Sequence, residues 1–289
     1  MIKTALVHLR GMKGDAATLT AALQIARPFS AHLECLHVRP DLAALISLAR
    51  PAILEGETDT ITRALKDLEK ESAESAQRAS DSFAAFCINE RIRRGELPTG
   101  SGGISASFRE DIGSDVDRLI AQSRRHDLAV VKGGSERDGG LGPRDIGRLI
   151  LSTGRPTLLA PTVPARQVRT VVVAWQNTRE AARAVSAAMP LLEKAKKILV
   201  VTANEDKESR SDQTGVVSHL QWHGLECEAL LVEPKSRSAY DSVLETARDA
   251  DADLLVAGAY GRSRLSEVVF GGFPEGIPED ASLPVSLVH

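Results

Sequence analysis

Residues 253–272 read Asp-Leu-Leu-Val-Ala-Gly-Ala-Tyr-Gly-Arg-Ser-Arg-Leu-Ser-Glu-Val-Val-Phe-Gly-Gly. The apolar run at its start, Leu254 to Ala257, has the composition of a strand that is buried in a parallel sheet. The glycines that follow allow main-chain N–H groups to approach an anion closely, and a helix that begins just beyond adds the positive end of its dipole. A buried strand that leads into such a loop is typical of a phosphate-binding site.

The chain shows the same order of elements in its two halves. Thr4 to Leu9 matches Thr170 to Trp175, and each segment leads into an alanine-rich helical stretch, Asp15 to Phe29 and Arg179 to Glu193. Four further strand-like segments follow in each half, at 33–38, 104–108, 128–131 and 155–161 and at 197–202, 227–232, 254–257 and 283–288. Self-similarity on this scale indicates an internal repeat.

Strands that alternate with helical stretches predict parallel sheets that are covered on both faces. We therefore predict an α/β protein with two tandem, doubly wound domains, each built on a five-stranded parallel sheet. The first domain is expected to span residues 1–163 and the second residues 168–289. The segment Pro161 to Gln167 joins them, and its prolines predict a short, stiff linker.

The first half is longer than the second, and most of the surplus lies between Asp41 and Gly103. Apolar residues recur there at approximately helical spacing in a charged background: Ile61, Leu65, Leu68, Ala76, Ala79, Phe83 and Phe86. This spacing predicts one long amphipathic helix from about residue 58 to 94. Its apolar face either packs on its own sheet, which we favour, or forms a groove for a partner.

The spacing of Gly258, Gly261 and Gly271 after a buried strand resembles the nucleotide-binding signature of the universal stress protein family. The whole chain resembles the tandem members of that family. The resemblance implies an adenine nucleotide alpha hydrolase-like fold with flavodoxin-like layering. Domains of this family associate edge to edge through their last strands, so it also implies that the two halves form an internal pseudo-dimer. A homo-oligomer is a further expectation.

The resemblance implies a ligand site in the second half, where ATP or AMP binds together with Mg²⁺. The family's acidic residue at the end of the first strand is replaced by Gln176, whose amide can bond a base or ribose, and by Arg10 in the first half, which reverses the charge. Glu136 stands where the first half needs its second glycine. The candidate nucleotide-binding residues are Gly258, Gly261, Arg262, Ser263, Gly271, Gly272 and Gln176.

Two interpretations of the glycine loop stay open, a working adenine-nucleotide site and an inherited loop that no longer binds. Arg262 and Ser263 favour binding, whereas Gly272 replaces the Ser or Thr of the family and removes a hydroxyl. Pro278 and Gly276 cost about 3 and 1 kcal/mol in a helix interior, which predicts a short or broken last helix. The expected function is accordingly a non-catalytic, nucleotide-binding stress-response protein or a nucleotide-free dimerisation and interaction scaffold.

Composition limits the function classes further. The chain has 289 residues, 43% of them hydrophobic, and a net charge of −3, so no general attraction to nucleic acid or anionic membranes is expected. Aromatic residues make up 3%, too few for the stacking platforms that bind single-stranded nucleic acid. The sequence contains neither a signal-peptide core nor a long uncharged apolar span, and we expect a cytoplasmic protein. No residue stands out as a general base, so no enzyme is expected and ATP hydrolysis would be incidental.

Three weaker features complete the sequence-based expectations. Cys35, Cys87 and Cys227 are interpreted as small buried hydrophobes. His219 and His223 lie four residues apart and suit one face of a helix, but without an evident third ligand we favour surface histidines over a metal site, which we do not expect. A crevice beside Arg10 and Gly133 is a candidate site for another small ligand, and a crevice filled by side chains would exclude it.

Overall fold

Strands and helices alternate along the chain in the computed structural model, which describes residues 1–54, 58–95, 102–134, 139–162, 165–204, 209–233, 239–259 and 283–289. The strands are β1 (Thr4–His8), β2 (His32–Arg39), β3 (Arg93–Arg94), β4 (Ser105–Ile112), β5 (Leu128–Lys132), β6 (Thr157–Ala160), β7 (Thr170–Ala174), β8 (Lys197–Ala203), β9 (Glu228–Val232), β10 (Leu254–Gly258) and β11 (Val285–Val288). The helices are α1 (Asp15–Ala26), α2 (Leu42–Leu54), α3 (Thr58–Asn89), α4 (Asp115–Ser123), α5 (Pro143–Thr153), α6 (Arg179–Leu192), α7 (Ser209–Trp222) and α8 (Ala239–Asp249).

Within the described ranges, the strands form one 11-stranded sheet in the order β3-β4-β2-β1-β5-β6-β11-β10-β7-β8-β9. β6 and β11 pair antiparallel, with Leu158 opposite Ser286, and the other neighbouring strands of this sheet are parallel. The two halves thus join through their last strands, as expected for an internal pseudo-dimer. The α/β fold class is confirmed, with one correction: the first half carries a sixth strand, the two-residue β3, beside β4.

An aspartate fixes the start of the first strand in each half. Asp127 Oδ2 accepts hydrogen bonds from the main-chain N–H groups of Lys3 at 2.7 Å and Thr4 at 3.1 Å. Asp253 Oδ2 accepts from the N–H groups of Arg169 and Thr170, both at 2.9 Å. Each aspartate directly precedes the strand that pairs with β1 or β7, so the internal repeat extends to individual hydrogen bonds.

Helices cover both faces of the sheet, and each face has its own apolar core. α1, α3, α6 and α7 pack on one face, where Leu23, Phe83 and Leu220 are buried. α4, α5 and α8 pack on the other face, where Leu119, Leu149 and Val243 are buried. The central strands are consequently apolar on both sides, and this is why their sequences read as continuous apolar runs.

The predicted long helix is wrong at its C-terminal end. α3 ends at Asn89 instead of residue 94, because Arg91 takes a left-handed conformation with φ of 54° and the N–H of Ile92 donates to the carbonyl of Cys87 at 2.9 Å. Arg93 and Arg94 then pair with β4. The surplus also holds a separate helix, α2, which packs against α3.

The apolar face of α3 packs on its own sheet in the second part of the helix, as expected. Ala76, Ala79, Phe83 and Cys87 are buried there. Among the helices that the structure describes, none combines the length and apolar character needed to span a bilayer.

Candidate functional site

The candidate site in the second half lies where β7 and β10 end. These two strands are parallel neighbours, with Val173 opposite Val256, so their carboxyl ends meet at the same edge of the sheet. Gln176 follows β7, and Gly258 ends β10. The structure therefore brings two of the predicted site residues to one end of the sheet, where ligands bind in doubly wound folds.

Gly258 lies directly against the first turn of α6. A Cβ at this position would be 2.5 Å from the main-chain N of Ala181 and 2.5 Å from the carbonyl carbon of Glu180, both of them backbone atoms. Glycine is thus the residue that lets the end of β10 and the start of α6 touch. The sequence predicted glycine here for its approach to an anion, and the structure adds a packing reason.

The start of α6 is well defined. Thr178 is its N-cap, and the Thr178 Oγ1 accepts a hydrogen bond from the N–H of Ala181 at 3.2 Å. The carbonyl of Gln176 accepts from the N–H of Thr178 at 2.7 Å. The short loop from β7 to α6 is therefore braced by its own hydrogen bonds, and the helix presents its N-terminal end beside Gly258.

A buried carboxylate accompanies this helix start. Glu180 is 3% exposed and forms an ion pair with the exposed Arg179. Burial raises the pKa of the Glu180 carboxyl, but the hydrogen bond and charge of Arg179 outweigh it, so the pKa lies below its ordinary value. The imidazole Nδ1 of His289 lies 3.2 Å from the carbonyl oxygen of Ala259. The site thus contains a charged carboxylate with its own counter-ion.

The corresponding region of the first half is occupied by Arg10. Its Nη1 donates to the carbonyl of Gly140 at 2.7 Å, and its Nε lies 3.4 Å from Asp115 Oδ2. His8 Nε2 donates to the other oxygen of Asp115 at 2.7 Å. The predicted crevice beside Arg10 and Gly133 is therefore spanned by a side chain of the protein, which contradicts an open site there.

Two carboxylates surround Arg10. Burial raises the pKa of Asp115, but the charges of His8 and Arg10 and the hydrogen bond from His8 outweigh it and hold that pKa below its ordinary value. Asp15 Oδ1 and Oδ2 accept the N–H groups of Arg10 at 3.0 Å and Gly11 at 2.8 Å, although burial raises the pKa of Asp15. This end of the first-half sheet thus holds two carboxylates together with the guanidinium of Arg10, and the Nζ of Lys132 lies close to Gly14 at the start of α1.

No family model matches the sequence, and no curated protein matches it. Several solved structures, by contrast, match the fold of this chain. A universal stress protein from Archaeoglobus fulgidus DSM 4304 superposes with a TM-score of 0.62 at 14% identity, over 99% of this chain and 97% of that chain. A universal stress protein from Pseudomonas aeruginosa UCBPP-PA14 gives 0.55 at 17% identity over 99% and 93%, and a functionally unknown protein from Pseudomonas aeruginosa PAO1 gives 0.56 at 16% over 99% and 92%.

The protein has the universal stress protein fold. The matched chains are covered almost to their full length, so the likeness extends over both halves of the sheet. At these sequence identities, the similarity to the solved structures concerns the fold alone. The resemblance of the glycine loop to the nucleotide-binding signature of the universal stress protein family rests on the sequence.

Several predicted features of the candidate nucleotide site lie outside the described residues. They are Gly261, Arg262, Ser263, Gly271 and Gly272, together with the predicted break in the last helix at Gly276 and Pro278. Of the candidate residues, Gln176 and Gly258 are therefore placed by the structure. Sequence reasoning missed Thr178, Glu180 and His289. A threonine before an alanine-rich helix is an N-cap signal that the sequence did contain.

The two histidines that lie four residues apart are both on the surface of α7 or directly after it. His219 and His223 are exposed and their rings are in contact, with centroids 4.9 Å apart in an edge-on arrangement. No cluster of three or more His, Cys, Asp or Glu residues suited to a metal occurs in the part of the chain that the structure describes.

Cys35 and Cys87 are buried and free, and burial raises the pKa of the Cys35 thiol well above its ordinary value. Cys35 and Cys87 pack as small hydrophobes, as predicted, whereas the prediction of burial is wrong for Cys227, which is half-buried.

Proposed function

We propose that this chain is a two-domain universal stress protein, with domains at 1–163 and 168–289, that binds ATP or AMP in its second domain and acts without catalysis. The observation that carries the proposal is the contact between Gly258 and the first turn of α6. It places a helix N-terminus and the first glycine of the loop together at the carboxyl ends of two parallel strands. This arrangement suits a phosphate group, which main-chain N–H groups and a helix dipole stabilise.

Specific roles follow for the candidate residues. Gly258, Gly261, Gly271 and Gly272 supply main-chain donors. Arg262 and Ser263 contact the phosphates, and the Gln176 amide contacts the base or ribose. Mg²⁺ enters with the nucleotide phosphates. Two features support the second domain as the site: Gln176 brings no charge where the first domain has Arg10, and the carboxylate of Glu180 is already paired with Arg179.

The first experiment identifies any nucleotide that the purified protein carries. The protein is denatured and removed, and the released small molecules are separated by chromatography and identified by mass spectrometry. ATP is then titrated into nucleotide-free protein. The proposal expects a stoichiometric adenine nucleotide, and the G261E variant is expected to lose it because a carboxylate in the loop repels phosphate.

A matched control is available in α7. Gly215 lies on the exposed surface, and a Cβ there meets no atom within 4 Å. The G215E variant therefore adds the same side chain and charge at an exposed position that is not one of the candidate nucleotide-binding residues, and it is expected to keep the nucleotide. Absence of released nucleotide, with no ATP binding at millimolar concentration, contradicts the proposed function.

A nucleotide-free interaction scaffold is the second candidate function. It is favoured by α2, where Leu45, Ile46 and Leu48 are 37%, 45% and 77% exposed. Exposed apolar side chains on one helix suit an interface. Light scattering tests this reading: a homo-dimer that L48E dissociates, but that S47E leaves intact, supports the scaffold. A cytoplasmic location and a homo-oligomeric state remain predictions under both functions.

A further inference from the structure

Arg10 holds a defined position between two parts of the first half. Its guanidinium contacts the carbonyl of Gly140, in the loop after β5, and Asp115, in the first turn of α4. The side chain is 29% exposed, so most of it is removed from solvent. A guanidinium carries several N–H donors in one plane; here Nη1 donates a hydrogen bond to the carbonyl of Gly140, and Nε forms an ion pair with the carboxylate of Asp115.

The carbonyl that receives Arg10 is held in place by close packing. A Cβ on Gly140 would lie 2.7 Å from the carbonyl oxygen of Gly133, and Gly133 forms an isolated bridge with Leu141. The preceding Gly139 has φ of 77°, a conformation that glycine adopts without strain. The acceptor is therefore fixed by the backbone before Arg10 reaches it.

The electrostatics of this crevice favour a cation. Asp115 is held as a carboxylate by His8 and Arg10, and its place in the first turn of α4 adds the favourable end of the helix dipole. Asp15 contributes a second carboxyl group beside the main chain of Arg10. Removal of the Arg10 side chain would leave the Gly140 carbonyl without this donor and Asp115 with its contact to His8 but without the guanidinium.

We infer that the first-half crevice is a guanidinium-binding site that Arg10 occupies from within the chain, so that shortening Arg10 opens the site to an external guanidinium cation. The ligand class follows from the Gly140 carbonyl and the Asp115 carboxylate, which match a planar cation with divergent N–H groups. Arg10 thereby acts as a built-in ligand that braces the end of β1 against α4 and the 139–142 loop. The second half has Gln176 at the matching position, a neutral amide in place of the guanidinium.

The test measures thermal unfolding of the R10A variant with added methylguanidinium chloride. A charge-assisted hydrogen bond is lost, so the melting temperature is expected to fall by about 3–8 °C. Millimolar methylguanidinium is expected to recover part of this loss, because a ligand that binds only the folded state stabilises it by an amount that rises logarithmically with the ratio of ligand concentration to Kd. Methylammonium chloride at the same ionic strength controls for charge and is expected to recover none.

Two variants make the recovery specific. R124A removes an exposed arginine whose Nε and Nη2 donate to the carbonyl of Ser152. Arg124 forms no ion pair with the residues that the structure describes, and methylguanidinium is not expected to stabilise this variant. The double variant R10A/D115N keeps the cavity but removes the carboxylate, and recovery is expected to disappear. Equal effects of the two cations on R10A, or an R10A variant as stable as the wild type, would overturn the inference.

A measurement on the wild type covers the case in which R10A does not fold. The exchange of the Arg10 Nε–H proton with water is measured by nitrogen-15 NMR. The signal is assigned by its absence from the spectrum of R10K. Occupancy of the crevice predicts a slowly exchanging Nε–H that becomes fast-exchanging in D115N. Exchange in the wild type as fast as that of an exposed arginine contradicts the inference.

Discussion

Replacement of Gly258 by alanine tests the contact on which the candidate site depends. The new Cβ would lie 2.5 Å from the N of Ala181, 2.5 Å from the carbonyl carbon of Glu180 and 2.9 Å from the Glu180 Cβ. Two of these atoms belong to the backbone of α6, so the helix must move away from β10. Overpacking of this kind costs about 1–3 kcal/mol, and we expect the free energy of unfolding to fall by that amount.

Urea denaturation measures this loss as a lower midpoint at an unchanged slope. The matched control is G215A, because Gly215 lies in α7 and its Cβ meets no atom within 4 Å. Alanine in an open helix position is expected to be neutral or stabilising by about 0.5–1 kcal/mol. Opposite signs for the same chemical change would show that the packing around Gly258 is responsible.

Binding provides a second readout for G258A. A shift of α6 moves its N-terminal N–H groups away from the glycine loop, so the affinity for ATP is expected to fall along with stability. A G258A variant that is as stable as G215A refutes the close approach of β10 to α6. A variant that is destabilised but binds ATP with unchanged affinity refutes the link between this contact and the nucleotide site.

Three further predictions concern single residues. G11A is expected to destabilise more than G258A in urea denaturation, because Gly11 has φ of 69° and a Cβ there would lie 2.0 Å from the carbonyl oxygen of Ser75. Burial lowers the pKa of His37 from 6.5 in the folded protein, so the unfolded chain binds a proton at a higher pH than the folded protein does. The free energy of unfolding therefore falls as pH drops from 6.5 toward the lowered pKa. In H37N the amide can replace the hydrogen bond from Nδ1 to the carbonyl of Leu9, and this variant is expected to lose less stability at acid pH. D253A leaves two main-chain N–H groups without an acceptor and is expected to cost about 1–3 kcal/mol by thermal or urea unfolding.

Each of these predictions has a control in the same chain. Gly154 also has a positive φ, 63°, but open space around its Cβ, so G154A is expected to lose less than G11A. His219 is exposed, and H219N is expected to leave the acid loss of stability unchanged. Asp251 is an exposed partner of Arg166, and D251N, which keeps a residue type that tolerates the φ of 50° at this position, is expected to cost at most about 1 kcal/mol. Equal losses within any pair would contradict the reasoning for that pair.

The alternation of strands and helices could be predicted because both faces of the central strands are buried. Val171, Val172 and Val173 are all fully buried, and such a run is recognisable without a structure. The end of α3 could not be predicted. Its stop depends on Arg91 in a left-handed conformation, where sequence reasoning expects glycine, and on a short pairing with β4.

The candidate site shows the same division. Gln176 and Gly258 could be placed at one end of a sheet from the strand order that the repeat implies. Glu180 could not, because its burial and its pairing with Arg179 depend on where α6 begins relative to β10. Arg10 was recognised as a reversed charge, but only its contacts with Gly140 and Asp115 show that it fills the crevice.

The sequence by itself determined the local and periodic properties of this protein: two rounds of strand and helix, the apolar faces that form the cores, and the glycines that permit tight turns. These follow from side-chain polarity and backbone freedom, which act over a few residues. The tertiary structure decided which distant groups meet. Arg10 and Gly140 are 130 residues apart in sequence, and their contact exists only because β1 and β5 are neighbours in the sheet. The antiparallel pairing of β6 with β11, which makes one sheet from two halves, arises from the same long-range geometry.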